Sequence, residues 1–498
     1  MNATEEQAAA ITAEGRIQVL AAGAGSGKTK TLVDKVRRDQ TTEPCAGKAA
    51  RRQVVITFTN AAAGEVRDRL KKKGAVDPWF VGTLHAFALK NVGASLGNPR
   101  MISDREFDRL IADVFEANGI KGISIRKARE LAAGDGSGLL GKNRAARAAV
   151  VAKMNEGSLL HPDLILGHFL KRIDDLPLGH GLKLYVDEFQ DTASIDSAIY
   201  RAIIDAWEAS IFAVGDPRQA IFGFRGATSA EFSRLWDAAD WRGELTGNFR
   251  SLPEIVTFAN GVASRMTLPP GLEGRMKHVR ETPKGEIAIA RADFTTCEEE
   301  AAEIAKFASS VERSPEGPGA LEDLAILTRY NASVQMIADV LRAHDFRVNS
   351  SLDRAEAAAF LQDDETVRRV ICLRRIPEDW NAALIALDAP RDVRDKLIPI
   401  LSDVERVEDL PFAIREGILR READAVTVTT VHAAKGLEWP KVWIAGADSK
   451  SFDPDKSEDV RLAYVAATRA EDLLVISHAK SRIGFRREVD LTPSPILF

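Results

Sequence analysis

Lys28 and Thr29 close the run Ala21-Ala22-Gly23-Ala24-Gly25-Ser26-Gly27-Lys28-Thr29, which follows an apolar stretch from Ile17 to Leu20 and precedes a segment of helical character. Strand, glycine-rich turn, then Lys-Thr at a helix start is the layout of a phosphate cradle. Successive backbone N–H groups point inward to hold a β-phosphate, and the helix N-terminus adds positive potential. In that layout Lys28 neutralises the β/γ oxygens and the Thr29 hydroxyl ligates Mg2+. The strict pattern asks for glycine five residues before Gly27, where Ala22 stands, so it misses by one methyl group.

A second group fits the same chemistry. Leu184-Tyr185-Val186-Asp187-Glu188-Phe189-Gln190-Asp191 puts two adjacent carboxylates just past an apolar strand. In a parallel sheet that is the edge the phosphate loop occupies. Nucleotide hydrolysis needs one carboxylate on Mg2+, the role of Asp187, and a second to orient and deprotonate the attacking water, the role of Glu188. Alone, Asp-Glu after a strand also describes a solvated acidic turn; the phosphate loop supplies the context. A third strand end reads Ala213-Val214-Gly215-Asp216-Pro217-Arg218-Gln219-Ala220-Ile221-Phe222-Gly223-Phe224-Arg225-Gly226. Polar groups at its start suit sensing of a γ-phosphate. Phe222, Phe224 and Arg225 suit stacking on the bases of a single strand, although aromatics in a glycine-bounded loop also simply pack.

These groups must be positioned by strands alternating with helices. Short apolar runs recur at Val54 to Thr57, Leu182 to Val186, Ile211 to Val214, Glu286 to Ala290, Leu324 to Leu327, Val426 to Thr430, Val442 to Ala445 and Leu473 to Ile476. That rhythm predicts an α/β fold with parallel sheets covered on both faces. It breaks twice, from about Asn91 to Gly157 and from about Ser351 to Arg420, where the pattern is helical throughout, and Ser314 to Gly319 reads as a loop. At 498 residues the chain exceeds one core. Apolar content of 45% and charged content of 28% are those of ordinary soluble protein, and no apolar run approaches a membrane span. The three cysteines, Cys45, Cys297 and Cys372, make neither a disulfide framework nor a paired metal motif, so a cytoplasmic setting is the default. Net charge is −5, so any nucleic acid must bind a local basic groove rather than a polycationic surface.

Taken in order, the motifs resemble those of the superfamily-one DNA helicases of the UvrD, PcrA and Rep group. They run from Thr4-Glu5-Glu6-Gln7 through Gly25 to Thr29, Ile56 to Ala62, Gly82 to Phe87, Val186 to Thr192 and Val214 to Ala227. The second half adds Leu245 to Ser251, Val431-His432-Ala433-Ala434-Lys435-Gly436-Leu437-Glu438 and Tyr464 to Ala470. The resemblance implies two RecA-like domains. The first would comprise residues 1–92 and 159–244, interrupted by a helical insertion at 93–158. The second would comprise 245–350 and 421–498, interrupted by a reduced helical insertion at 351–420.

ATP and Mg2+ would lie between these domains, with single-stranded DNA across both. On this resemblance Gln7 reads adenine; Ala22 to Thr29 and Lys30 line the nucleotide site from one side, and Phe249, Arg250, Gly436, Glu438 and Arg469 from the other. Gln219 senses the γ-phosphate, and Arg250 and Arg469 reach it as arginine fingers. Phe58, Thr59, His85, Phe222, Phe224, Arg225 and His432 hold DNA. A lone histidine near a strand end is usually a satisfied structural residue, and nothing in the sequence puts His85 or His432 on a metal.

The departures from the group's pattern are specific. Phe224 stands for Trp and Phe222 for Tyr, which keeps stacking and removes two polar handles. Phe249 replaces a Tyr, and Lys30 replaces an Arg that covers adenine; Lys lacks the planar guanidinium, which implies looser adenine recognition. Val460 takes a place often held by Arg, while Arg461 remains. The second insertion and the tail after Phe485 are short. The expected activity is ATP-dependent 3′ to 5′ translocation and unwinding, on single strands and single-strand/duplex junctions, by a monomer or weak oligomer in repair, recombination or replication. Two alternatives stay open: a DNA-stimulated ATPase that translocates without unwinding, and a sensor subunit serving a nuclease in defence or repair.

Overall fold

A computed structural model describes residues 3–42, 52–92, 99–133, 139–176, 181–223, 229–313, 321–353, 365–371, 373, 375–402, 404, 406–416, 423–483 and 488–498. The first sheet is built from β1 (Ile17–Ala22), β2 (Gln53–Thr57), β3 (Phe80–Thr83), β4 (Lys183–Val186), β5 (Ser210–Gly215) and β6 (Trp241–Leu245). All six are parallel, in the order β3-β2-β4-β5-β1-β6. Side chains of a strand alternate between faces, so a run that is apolar throughout must be covered on both. Here Val19, Ala21, Val54, Ile56, Leu184, Val186, Ile211 and Ala213 enter one core. Their neighbours Leu20, Ala22, Val55, Val81, Tyr185, Phe212, Val214 and Leu245 enter the core on the opposite face.

The second sheet repeats the scheme with β7 (Ile289–Thr296), β8 (Leu324–Thr328), β9 (Val348–Ser350), β10 (Val426–Thr430), β11 (Trp439–Ile444) and β12 (Ala470–Ile483). These are parallel in the order β7-β12-β11-β8-β10-β9, and β13 (Glu488–Asp490) is added antiparallel on β12. Ala325, Leu327, Val442 and Ile444 face one core; Leu324, Ile326, Val428 and Trp443 face the other. The molecule is therefore an α/β protein with two RecA-like domains.

Among the described residues, both breaks in the rhythm are mainly helical. Helices Asp104–Ala117, Ile125–Ala133 and Gly141–Glu156 lie between β3 and β4 and share the first domain's core, with one short pairing of Arg100–Met101 and Leu159–Leu160 at their base. Between β9 and β10, helices Glu365–Ile371, Trp380–Ala386, Arg391–Leu401 and Leu410–Glu416 form a small core of their own around Val370, Leu384, Leu397 and Ile400. This bundle leans on the first domain, where the Arg406 guanidinium lies 4.7 Å from the centroid of the Phe80 ring.

The strand boundaries need correction in places. The run Glu286 to Ala290 is not itself a strand; β7 begins at Ile289 and extends to Thr296. The segment Leu473 to Ile476 is only the middle of the much longer β12. Strands β3, β6 and β9 are absent from the sequence expectation, and each lies at a sheet edge; β6 and β9 are half polar, and β3 is only four residues long. The loop expected at Ser314 to Gly319 lies outside the described residues, as do Cys45 and Cys372. Among the described residues, no helix is long and apolar enough to cross a membrane.

Candidate nucleotide site and nucleic-acid interface

The phosphate loop leaves the carboxyl end of β1, next to β5 in the sheet order. Gly25 and Gly27 have φ of +66° and +83°, a region that costs any residue with a Cβ. Gly27 is the N-cap of the helix Lys28–Thr41, and the Ser26 hydroxyl donates to the Gly23 carbonyl at 2.7 Å, drawing the loop tight. Ala22, where the strict pattern has glycine, is the last residue of β1 and is fully buried in the core, so its methyl points away from the loop's concavity. Gly25 is needed for a further reason: a Cβ there would sit 2.7 Å from Cβ of Arg250 on the approaching second domain.

The acid pair leaves β4. Asp187 accepts the Thr29 hydroxyl at 3.2 Å, and its other oxygen accepts the Glu188 N–H at 2.9 Å. Lys28 Nζ lies 3.6 Å from Glu188 Oε1. Glu188 takes φ of +52°, a strained conformation for a non-glycine residue, held while Gln190 donates to its carboxylate. Burial, with the Glu188 charge beside it, pushes the Asp187 carboxyl upward. Burial works the same way on Glu188, but Lys28 and then Lys435 overcome it and hold that carboxyl low. A dication fits here: the Thr29 and Asp187 oxygens are close enough to share it, and it would relieve the carboxylate crowding. Glu188, kept ionised, has the charge state of a general base.

Residues of the second domain close the other side. A cavity of about 830 Å³ is lined by Gly23 to Lys30, Glu188 and Gln219 on one side and by Phe249, Arg250, Gly436, Glu438 and Arg469 on the other. Arg250 pairs with Glu438 and donates to the Thr468 carbonyl at 3.0 Å. Arg469 is buried, donating to the carbonyls of Val465 and Leu437 and, at 3.4 Å, to Gln219 Oε1. Burial, with Arg250 next in effect, lowers its pKa; an anion arriving between the two guanidinium groups would relieve that repulsion. Two further bonds reinforce the seam: Phe249 N–H on the Gly25 carbonyl at 2.9 Å and the Asn248 side-chain amide on the Ala24 carbonyl at 2.9 Å.

Gln7 sits behind the loop. Its Nε2 donates to the Ser26 carbonyl at 3.1 Å, and its Oε1 accepts from Thr4 N at 3.2 Å and from Lys30 Nζ at 3.3 Å. Lys30 and Phe249 line the cavity, whereas Gln7 lies one layer back and is only 4% exposed.

Several residues here have no role assigned by the sequence. Lys435, from the motif after β10, places Nζ 2.6 Å from both Asp191 oxygens and 2.6 Å from the Gln219 carbonyl. A polar chain also crosses the seam. Gln190 joins Glu188 to the Asp216 backbone N–H, and Asp216 accepts from Arg218, Gln219 and, from the second domain, the Tyr464 hydroxyl. Arg461 reaches back to the Pro217 carbonyl at 3.4 Å, while Val460 beside it is buried. Nearly all of these residues stand in the motifs quoted above, but only the fold shows which touch.

Breaking a buried ion pair from one side strands a charge and costs ~3–5 kcal/mol. Lys435→Met is therefore expected to lower the unfolding midpoint markedly. A Lys435→Met/Asp191→Leu double variant should recover most of the loss, measured by denaturant titration of all four members of the cycle; equal loss in the double variant would refute the coupling.

The DNA candidates gather on the same carboxyl edges. Phe58, one residue past β2, stacks on Phe222 with ring centroids 5.1 Å apart and planes 17° off parallel. Lys435 Nζ lies 4.9 Å from the Phe222 centroid, so one ammonium touches both the aromatic pair and Asp191. Thr59 caps the helix Asn60–Lys72 by accepting the Ala62 N–H at 3.2 Å. His85 lies in the first turn of Leu84–Val92, just past β3. His432, across the seam, has Nε2 3.5 Å from Glu458, and burial followed by the Arg329 charge lowers its pKa toward the neutral imidazole. Phe224 and Arg225 lie outside the described residues.

Comparison with known proteins agrees with this geometry. Residues 3–129 and 182–239 match the UvrD/REP helicase N-terminal domain, and residues 379–481 match the UvrD-like helicase C-terminal domain. The chain is 27% identical to ATP-dependent DNA helicase UvrD2 of Mycobacterium tuberculosis, over 96% of this chain and 78% of that protein. It is 24% identical to DNA helicase II of Escherichia coli, over 98% and 86%, and 25% identical to the Gabija protein GajB of Bacillus cereus, over 94% of each. With both halves matched in order around one shared cleft, the chain belongs to the UvrD/REP family of superfamily-one helicases.

Proposed function

We propose that this chain is an ATP-driven motor that moves 3′ to 5′ on single-stranded DNA and separates duplex ahead of it. The observation that supports this most strongly is the seam: Lys28, Glu188 and Gln219 of the first domain face Arg250 and Arg469 of the second across one cavity. In the proposed reaction Lys28 and the loop N–H groups hold the β- and γ-phosphates, and Thr29 and Asp187 hold Mg2+, which supplies charge neutralisation of the phosphoryl oxygens. Glu188 accepts a proton from the attacking water, Gln219 reports the γ-phosphate, and the two arginines stabilise the equatorial charge when the domains close. Hydrolysis removes that charge and lets them part. The domain limits proposed from the sequence, with insertions at 93–158 and 351–420, follow the same scheme.

DNA is held from both domains, by Phe58, Thr59, His85, Phe222, Phe224 and Arg225 on one and His432 on the other. Base stacking is sequence-tolerant and worth ~1–3 kcal/mol per base. Phe222→Ala should therefore raise the DNA concentration for half-maximal ATPase stimulation by ~5-fold or more, read by titrating oligo-dT. An unchanged half-maximal concentration would remove Phe222 from the DNA track.

The deciding experiment compares 3′-tailed, 5′-tailed and blunt duplexes. Unwinding of the 3′-tailed duplex alone supports the proposal, and unwinding of the 5′-tailed duplex alone reverses the polarity. DNA-stimulated hydrolysis without unwinding supports a second reading, a translocase or a subunit serving a nuclease. That reading draws on the small second insertion and on the match over 94% of GajB's length.

A further inference from the structure

Arg250 and Arg469 stand on separate segments of the second domain, and their spacing depends on what ties those segments together. Arg250 lies between the short strand Gly247–Asn248 and the helix Pro253–Ala263, whereas Arg469 lies between the helix Ser457–Ala467 and β12. Arg250 reaches the Thr468 carbonyl, the Ser251 hydroxyl donates to the Ala470 carbonyl at 2.6 Å, and Leu252 N–H donates to the Glu471 carbonyl at 2.9 Å. A further tie comes from outside both segments. Arg280 donates from one guanidinium nitrogen to the Arg250 carbonyl at 2.5 Å and from another to Asp472 Oδ1 at 2.6 Å.

Arg280 belongs to none of the motifs that supply Lys28, Asp187, Gln219, Arg250 or Arg469. It follows Lys277–His278, which pairs in parallel with Gly247–Asn248, so the backbone register delivers its side chain to the Arg250 segment. Its neighbours are fixed on both sides, with Val279 N–H on the Asn248 carbonyl at 3.0 Å and the Thr282 hydroxyl on Glu254 at 2.5 Å. A guanidinium presents its donors in a rigid planar fork, so gripping two acceptors at once fixes the distance between them; an ammonium on a flexible stem does not. Here the acceptors are the backbone of Arg250 itself and a carboxylate three residues past Arg469. Charge at the cavity mouth agrees: Glu438 and Glu471 line it beside Arg280, and Arg280 joins Arg250 in opposing the crowding of acids around Glu471.

Resting on the nucleotide-hydrolysing reading above, we propose that Arg280 is a positioning residue, whose forked grip sets the Arg250 and Arg469 segments at the spacing that brings both guanidinium groups onto one phosphate. Displacing a reacting geometry by ~1 Å costs on the order of 10²-fold in rate. The loss on releasing the grip therefore falls on kcat, while ATP binding through the phosphate loop changes little.

The Arg280 side chain is 35% exposed and that of Asp472 42%, so changing either leaves no buried charge stranded. The test is DNA-stimulated ATP turnover by the full chain. Arg280→Met is expected to lower kcat by about tenfold or more with KM for ATP within about threefold of wild type. Arg280→Lys keeps the charge without the fork and should stay within about threefold of Arg280→Met. Asp472→Asn keeps the shape while weakening the anchor, and should lower kcat by about threefold, again with KM little changed. Because the two arginines act as a unit, adding Arg280→Met to Arg250→Ala should cost less than about twofold more. Wild-type kcat in Arg280→Met overturns the proposal, as does full rescue by Arg280→Lys or a loss that multiplies undiminished onto Arg250→Ala. Absence of ATP turnover in wild type would instead sink the hydrolytic reading on which it stands.

Discussion

Glu188→Gln is expected to bind ATP with affinity within a few-fold of wild type and to hydrolyse it at least ~10³-fold more slowly. The substitution keeps the side chain's size and its contact with Gln190 while removing the charge that Lys28 and Lys435 hold in place. The missing factor is ~4 kcal/mol of transition-state stabilisation. Lys28→Ala should behave differently: in the proposed reaction its ammonium serves the bound phosphates as well as the transition state, so binding and turnover should fall together. Single-turnover hydrolysis alongside equilibrium binding of a labelled nucleotide separates the two. Hydrolysis by Glu188→Gln within tenfold of wild type would remove Glu188 as the base.

The second large effect belongs to the arginines. Arginine fingers contribute ~10³–10⁵ in kcat when correctly placed, so Arg250→Ala and Arg469→Ala should each lower kcat by at least ~10³. Their structural costs differ. Arg250 leaves behind Glu438, half exposed, which water can solvate. Arg469 is buried and bonded to Val465, Leu437 and Gln219, so its removal should also lower the thermal midpoint. Arg250→Ala is thus the cleaner kinetic variant. If both groups act on one charge, as proposed, the double variant should be little worse than either alone. Two small, independent losses would mean that the guanidinium groups serve only as surface and core ion pairs.

How much of this is legible in the sequence depends on burial. Central strands such as β1, β2, β5 and β8, covered on both faces, carry near-continuous apolar runs that announce them directly. Edge strands β6 and β9 are only partly buried, and Trp241-Arg242-Gly243-Glu244-Leu245, half polar, gives no such signal; β3 is buried on both faces but is only Phe80-Val81-Gly82-Thr83, too short a run to stand out. The phosphate loop and the Asp187-Glu188 pair are legible because their chemistry is local, set by neighbours in sequence. Lys435 on Asp191 spans 244 positions, and the Tyr464–Asp216 bond spans 248. No local spacing encodes such contacts; they follow from how two sheets meet. The Lys30–Gln7 pair lies between these cases, since each residue stands in its own motif but their mutual hydrogen bond appears only when the first helix packs on the loop.

The ammonium of Lys435 shows how the two halves of the site can communicate. It is held by Asp191 and the Gln219 carbonyl on the proposed nucleotide side and lies over the Phe222 ring on the proposed DNA side. In the proposed motor, a base that displaces Phe222 disturbs a group bonded to the Gln219 backbone. On the proposed function, this is a physical route by which DNA would alter hydrolysis, through one buried cation.

Steady-state ATP hydrolysis with and without oligo-dT, in wild type and in Arg250→Ala, tests the seam most directly. DNA is expected to raise wild-type kcat at least ~10-fold, about 1.4 kcal/mol of added transition-state stabilisation, and Arg250→Ala to erase the increment. Wild-type turnover indifferent to DNA, or an Arg250→Ala protein stimulated as fully as wild type, would contradict hydrolysis at a closing interface.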